Sequence, residues 1–105
     1  MKEDLLERIN YFGIEEQKRK FSEEADELRD AIVEYEALKG CVGGAKIKKL
    51  KEHITEEFTD ALSLLMQFQL FYDIKNEDIK RWLVFKNERT KQEIKDGVYD
   101  RKDRR

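Results

Sequence analysis

The sequence predicts an all-α protein, a bundle of three to four helices, on three observations. Apolar residues recur at steps of three and four over long stretches, which lines them up on one face of a helix. There is no proline in 105 residues, so nothing breaks a helix interior. No stretch alternates polar and apolar residues for long enough to form a strand. The glycines, Gly13, Gly40, Gly43, Gly44 and Gly97, cut the chain into pieces near 13, 40–44 and 97.

Residues 3–12 form the first predicted helix, with Leu5, Leu6, Ile9 and Phe12 as its apolar residues and Gly13 as its end. The second runs from Ile14 to about Leu38. Its stripe is Phe21, Ala25, Leu28, Ile32 and Tyr35, at steps of 4, 3, 4 and 3. The third carries Ile47, Leu50, Ile54, Phe58, Ala61, Leu65, Phe68 and Tyr72, again one helical face. The fourth follows Asp73, with Asn76 as its expected cap and Ile79, Trp82, Leu83, Phe85 and Ile94 as its apolar residues. Residues 1–96 are expected to form one domain and the polar residues 97–105 a frayed tail. Helices this long in a chain this short leave an apolar face uncovered, so a homo-oligomer, a homodimer or homotetramer, is expected. The aromatics Phe68, Phe71, Tyr72, Trp82 and Phe85 read as core and oligomer interface.

Composition narrows the class. Charged residues make up 44% and hydrophobic residues 39%, too apolar for disorder and too polar for a membrane protein. The longest apolar run, Trp82 to Phe85, excludes a spanning helix. The N-terminus is acidic and lacks the apolar stretch of a signal peptide. Cys41 is the single cysteine, so no internal disulfide forms. The expectation is a reduced, cytoplasmic protein without a membrane partner. Charge is uneven: residues 1–36 hold 6 basic and 12 acidic side chains, and residues 75–105 hold 11 and 7. An acidic front and a basic back suit a site where cations and phosphates meet.

Two acidic clusters stand against the apolar pattern, Glu23-Glu24-Ala25-Asp26-Glu27 and Glu56-Glu57-Phe58-Thr59-Asp60. Residues three apart share a helix face, so Glu24 pairs with Glu27 and Glu57 with Asp60. Each of the four directly precedes a residue of the apolar stripe: Ala25, Leu28, Phe58 and Ala61. If the two helices pack together, four carboxylates meet at the edge of the core. Gathered there, they repel one another unless a cation neutralises them. Oxygen ligands select a hard divalent ion, Mg²⁺ or Mn²⁺. The alternative is a non-enzymatic helical interaction protein whose acidic face is solvated, with lysines such as Lys20 pairing along it.

The pattern Glu23-Glu24-x-x-Glu27 on one helix and Glu57-x-x-Asp60 on a later one resembles the motif of the MazG-like, all-α nucleoside triphosphate pyrophosphohydrolases. The resemblance runs from about Tyr11 to Gly97. It includes Phe12-Gly13-Ile14-Glu15-Glu16-Gln17 upstream and the basic segment Phe85-Lys86-Asn87-Glu88-Arg89 downstream. The gap between the acidic motifs is at the long end for the family, and the Gly40–Gly44 loop with the lysines after it supplies the extra length. The resemblance implies hydrolysis of a (d)NTP to (d)NMP and pyrophosphate, as in house-cleaning of the nucleotide pool. It implies Glu24, Glu27, Glu57 and Asp60 as metal ligands, with Glu23 orienting or deprotonating the attacking water. It implies Lys86 and Arg89, seconded by Asn87 and Lys91, as phosphate-binding residues, and Gln17 as a contact to base or sugar.

Other signals point to nothing more. His53 cannot supply the paired Glu-x-x-His motifs of a di-iron bundle, because it is the only histidine and Leu50 stands three residues before it. It reads as a solvated neighbour of the acidic face. Gly40 to Lys46 departs from a phosphate loop at Ala45 and Ile47 and reads as a turn between helices. The basic tail Arg101-Lys102-Asp103-Arg104-Arg105 reads as solvated rather than as a nucleic-acid contact, given Asp100 and Asp103 and the net charge of −2.

Overall fold

A computed structural model describes residues 1–100. They form four helices: α1 (Lys2–Phe12), α2 (Ile14–Leu38), α3 (Gly44–Phe71) and α4 (Asn76–Lys95). No strand occurs among the described residues, and the protein is an all-α helical bundle. No helix is long and apolar enough to cross a membrane among them. Contacts divide the chain into two compact units, Met1–Tyr72 and the residues from Asp73 onward.

In the first unit, α2 and α3 run antiparallel. Gln17 meets Gln67, Phe21 meets Phe68, and Glu34 meets His53, so numbers rise on one helix as they fall on the other. The turn between them is short and closed by Cys41 N–H donating to the Leu38 carbonyl at 2.9 Å. Helix α1 folds back across the pair, with Leu5 and Ile9 buried. Gly13 makes that corner possible. Its φ of 86° and ψ of 155° lie where only glycine is at ease, and its N–H closes α1 by donating to the Ile9 carbonyl.

The helices are rotated relative to the faces expected from apolar spacing. The buried residues of α3 are Leu50, Glu57, Ala61, Leu64 and Gln67. Phe58 and Leu65, expected inside, leave 54% and 50% of their surface open, and Ile32 and Tyr72 are also exposed. On α2 the fully buried positions are Gln17 and Ala31. The small Ala31 and Ala61 are both buried where α2 meets α3, while the bulkier Phe58 and Leu65 face outward. Gln17, Glu57 and Gln67 therefore occupy the packed seam, while Glu24 is half-buried and Glu27 and Asp60 stay exposed at the edge position expected for the carboxylates.

The second unit is built on α4. Glu77 and Asp78 in its first turn and Lys95 in its last complement the helix dipole. Lys75, not Asn76, holds the capping position; its carbonyl accepts from the N–H groups of Asp78 and Ile79, and Asn76 is the first helical residue. No residue of α4 is buried. Trp82 and Phe85 meet edge to face at 5.8 Å. The helix ends at Gly97, whose φ of 74° lets Val98 N–H reach back to the Glu93 carbonyl. Residues 97–100, expected as part of a frayed tail, form this closing turn, with Tyr99 donating to Glu93; residues 101–105 lie outside the described residues.

Candidate metal centre

Glu24 on α2 and Glu57 and Asp60 on α3 come together because the antiparallel pair sets the two acidic motifs side by side. One carboxylate oxygen from each lies within 4.8 Å of the others. Glu57 keeps only 9% of its surface. Glu24 Oε2 and Glu57 Oε2 are closed to water and have no hydrogen-bond partner among the described residues. A buried, unpartnered carboxylate oxygen is costly. Two residues with such an oxygen, clustered with Asp60, match what a hard divalent cation needs.

The titration of the site reflects this crowding. Burial pushes the Glu24 carboxyl up to about 7, and the neighbouring Glu27, Asp60 and Glu57 push the same way. Glu57 is raised for the same reasons, burial first and then Glu27 and Asp60, with His53 acting in the opposite direction. Glu27 stands on the exposed side, within hydrogen-bonding reach of both carboxyls. It is outside the trio whose oxygens all lie within 4.8 Å. His53 bridges the flank, with Nε2 at 3.4 Å from Glu57 and Nδ1 at 3.9 Å from Glu34. It is half exposed and sits beside the cluster rather than in it.

A cavity of about 320 Å³ adjoins the carboxylates, and Glu24 and Asp60 form part of its wall. Three helices contribute the rest. Gln17 Nε2 donates to Gln67 Oε1 at 2.8 Å, Gln67 Nε2 donates to Ser63 Oγ at 3.3 Å, and Arg8 Nη1 donates to the same hydroxyl at 3.0 Å. Gln17 is 2% exposed, yet its Oε1 has no partner among the described residues. Lys20 also lines the cavity, with its ammonium 5.5 Å from the Phe12 ring centre. The cavity thus joins two cations, an unsatisfied buried acceptor and two of the clustered carboxylates.

The residues implied by the resemblance separate into three groups. Glu24, Glu57, Asp60 and Gln17 share the site, with Glu27 at its margin. Glu23 is exposed and ion-paired with Arg19, outside the cluster. Lys86, Asn87, Arg89 and Lys91 lie exposed on α4 in the second unit, with Lys86 and Arg89 over the rings of Trp82 and Phe85. Arg8, Lys20, Ser63 and Gln67 were not singled out from the sequence as site residues. Lys20 stands four residues before Glu24, and Ser63 and Gln67 three and seven after Asp60, so helical spacing alone places them on the acidic faces. Nothing in the spacing marks Arg8, whose position depends on how α1 packs. Comparison with family models, with curated proteins and with solved structures finds no match to this chain, so its functional reading rests on this geometry.

Proposed function

We propose that the protein is a divalent-metal-dependent nucleotide pyrophosphohydrolase. In this reading a (d)NTP and water give (d)NMP and pyrophosphate, with the α–β anhydride bond broken and the elements of water divided between the products. The reading extends to a cytoplasmic role in nucleotide-pool house-cleaning by a homodimer or homotetramer. It is carried by one observation: unpartnered, water-closed oxygens of Glu24 and Glu57, grouped with Asp60, beside a cavity that also holds Arg8 and Lys20. Buried acids suit a cation, and cations beside them suit the phosphates of a metal-bound polyanion.

Glu24, Glu57 and Asp60 would hold Mg²⁺ or Mn²⁺, with Glu27 at the open side. Such an ion neutralises phosphate charge and activates water for attack. Arg8 and Lys20 orient the anionic phosphates by charge-assisted hydrogen bonds. Gln17 accepts a hydrogen bond from the base or sugar through Oε1, the atom that otherwise lacks a donor. The burial of Glu57 and the water-closed oxygen of Glu24 favour this reading over a merely solvated acidic face. The test is a panel of NTPs and dNTPs with Mg²⁺, assayed for pyrophosphate and orthophosphate. The expected products are NMP and pyrophosphate. NDP with orthophosphate as final products, or no turnover of any nucleotide, overturns the proposal.

A further inference from the structure

The cavity wall holds a hydrogen-bonded chain that spans three helices. Arg8 on α1 donates to Ser63 Oγ on α3, Gln67 Nε2 donates to the same hydroxyl, and Gln17 Nε2 on α2 donates to Gln67 Oε1. Gln67 is as fully buried as Gln17, so water does not compete for either amide. An amide side chain has a donor end and an acceptor end of nearly the same shape. Packing alone therefore does not decide which end of Gln17 a ligand meets; a hydrogen-bond partner does, and here that partner is Gln67. The far end of the chain is a guanidinium, which only donates, so Ser63 Oγ accepts from Arg8. Turning both amides around would leave the NH₂ of Gln17, with its two protons, buried and unpaired in a wall that also carries Arg8 and Lys20. The observed direction leaves a single carbonyl oxygen there, which is cheaper beside cations.

We propose that Gln67 is a positioning residue for substrate selection: it holds Gln17 by Nε2, so that Gln17 offers an acceptor, and the cavity selects a nucleobase that donates an N–H. Ser63 and Arg8 hold Gln67 in turn. The inference rests on the reading above that a nucleotide fills this cavity. The base, rather than the sugar, is the part that a fixed amide discriminates. A sugar hydroxyl both donates and accepts, so either end of Gln17 would serve it; a base N–H only donates. Phe12 and Leu64 line the same cavity and give a flat ring an apolar surface to lie against. A site built around one buried acceptor rejects a ligand without the matching donor, because that acceptor then stays unpaired. Gln17 Oε1, buried and without a partner among the described residues, is such an acceptor.

Calorimetric binding of a non-hydrolysable α,β-methylene analogue of the best nucleotide, with Mg²⁺, tests this. Gln67→Met should weaken binding about 10-fold, as Gln17→Met does, and the double variant should be no worse than either. Gln67→Glu should stay within about 3-fold of the wild type, because its carboxylate still accepts from Gln17 Nε2 and the Ser63 hydroxyl turns to donate to it. In turnover, KM should rise with these losses while kcat holds within about 3-fold. The wild type should also lose about 10-fold on the same analogue with its base N–H groups methylated, and Gln67→Met should bind the two analogues alike. Wild-type affinity in folded Gln67→Met, equal losses in Gln67→Met and Gln67→Glu, or no loss on methylation overturns the proposal. Should the buried variants fail to fold, Ser63→Ala at a half-buried position carries the test: it should weaken binding severalfold, with no further loss when added to Gln17→Met, and unchanged affinity overturns the proposal. A wild type that binds no analogue overturns both this inference and the reading it rests on. The expected binding series without release of pyrophosphate from the parent nucleotide overturns the hydrolase reading alone.

Discussion

Glu57 and Phe58 are neighbours in the chain and opposites in the fold. Glu57 is buried, with an unpartnered carboxylate oxygen, while Phe58 is more than half exposed. The same inversion repeats further along α3, where Gln67 is fully buried and Leu65 is open. One edge of α3 thus has polar groups sealed inside, and the other has apolar groups left outside. Both arrangements cost stability in an isolated chain. The contrast underlies the proposal above, in which the polar edge holds a cation and its anionic ligand.

The contrast breaks most sharply at the polar edge. Asp60→Asn should lower kcat/KM for the best nucleotide on the order of 10²–10³-fold, because a ligand to the catalytic ion is lost. Steady-state kinetics at saturating Mg²⁺ checks this, and wild-type activity in the variant removes the cluster from catalysis. Adjacent leucines sharpen the comparison in stability. Leu64 is almost fully buried and Leu65 half open. Leu64→Ala should cost ~2–5 kcal/mol, and Leu65→Ala less than about 1.5 kcal/mol at high dilution. Urea denaturation at two protein concentrations separates them, and the Leu65→Ala cost should grow with concentration if the assembly of the proposed function covers this open face of α3.

Phosphate binding gives an effect of similar size. Lys20→Ala or Arg8→Ala should reduce kcat/KM about 10- to 100-fold, as expected for a charge-assisted hydrogen bond, while Mg²⁺ binding stays nearly intact. Arg89→Ala measures what the α4 cations implied by the resemblance add. A loss in Arg89→Ala with none in Lys20→Ala or Arg8→Ala moves the phosphate contacts to α4.

How much of this was legible beforehand differs between the elements and their rotation. The four helices and the breaks at Gly13, Gly40–Gly44 and Gly97 follow from local chemistry: spacing of apolar residues, absence of proline, and glycines at turns. The pairing of Glu24 with Glu57 and Asp60 also follows, because helical spacing places each acid on the face adjoining the stripe. Rotation about the α3 axis does not follow. Ile54, Phe58, Ala61, Leu62, Leu64, Leu65 and Phe68 cover a wide arc of that helix. Only packing against α2, where Ala31 and Ala61 are buried, decides which part of the arc is covered. Arg8 was hidden for a similar reason, since the cavity wall it completes exists only once α1 has folded back. The Asn76 cap failed locally, because the chain turns one residue earlier, at Lys75.

A further expected effect is the pH dependence of stability without metal. Glu24 has its folded carboxyl raised to about 7 from an ordinary 4.5, so between these values the folded chain holds a proton that the unfolded chain has released. Stability must then fall as pH rises through that window and level off above about pH 7. Melting curves in a chelator at pH 5, 6, 7 and 8 should show the decline, and Glu24→Gln should flatten it. A wild-type curve that instead rises through this window contradicts the crowding of the carboxylates.

The central claim is that Glu24, Glu57 and Asp60 form a divalent-metal site, and a Mg²⁺ titration of the melting temperature tests it most directly. At about 100 times its dissociation constant, an ion bound only by the folded state adds ~2.7 kcal/mol, on the order of 10 °C for a chain of this size. The wild type should show that rise at pH 8 and a smaller one at pH 5. Glu57→Gln should lose it, and should melt a few degrees above the wild type in chelator because one buried charge is gone. A wild type that ignores Mg²⁺ and Mn²⁺ alike, or a Glu57→Gln variant that keeps the full rise, contradicts the metal site.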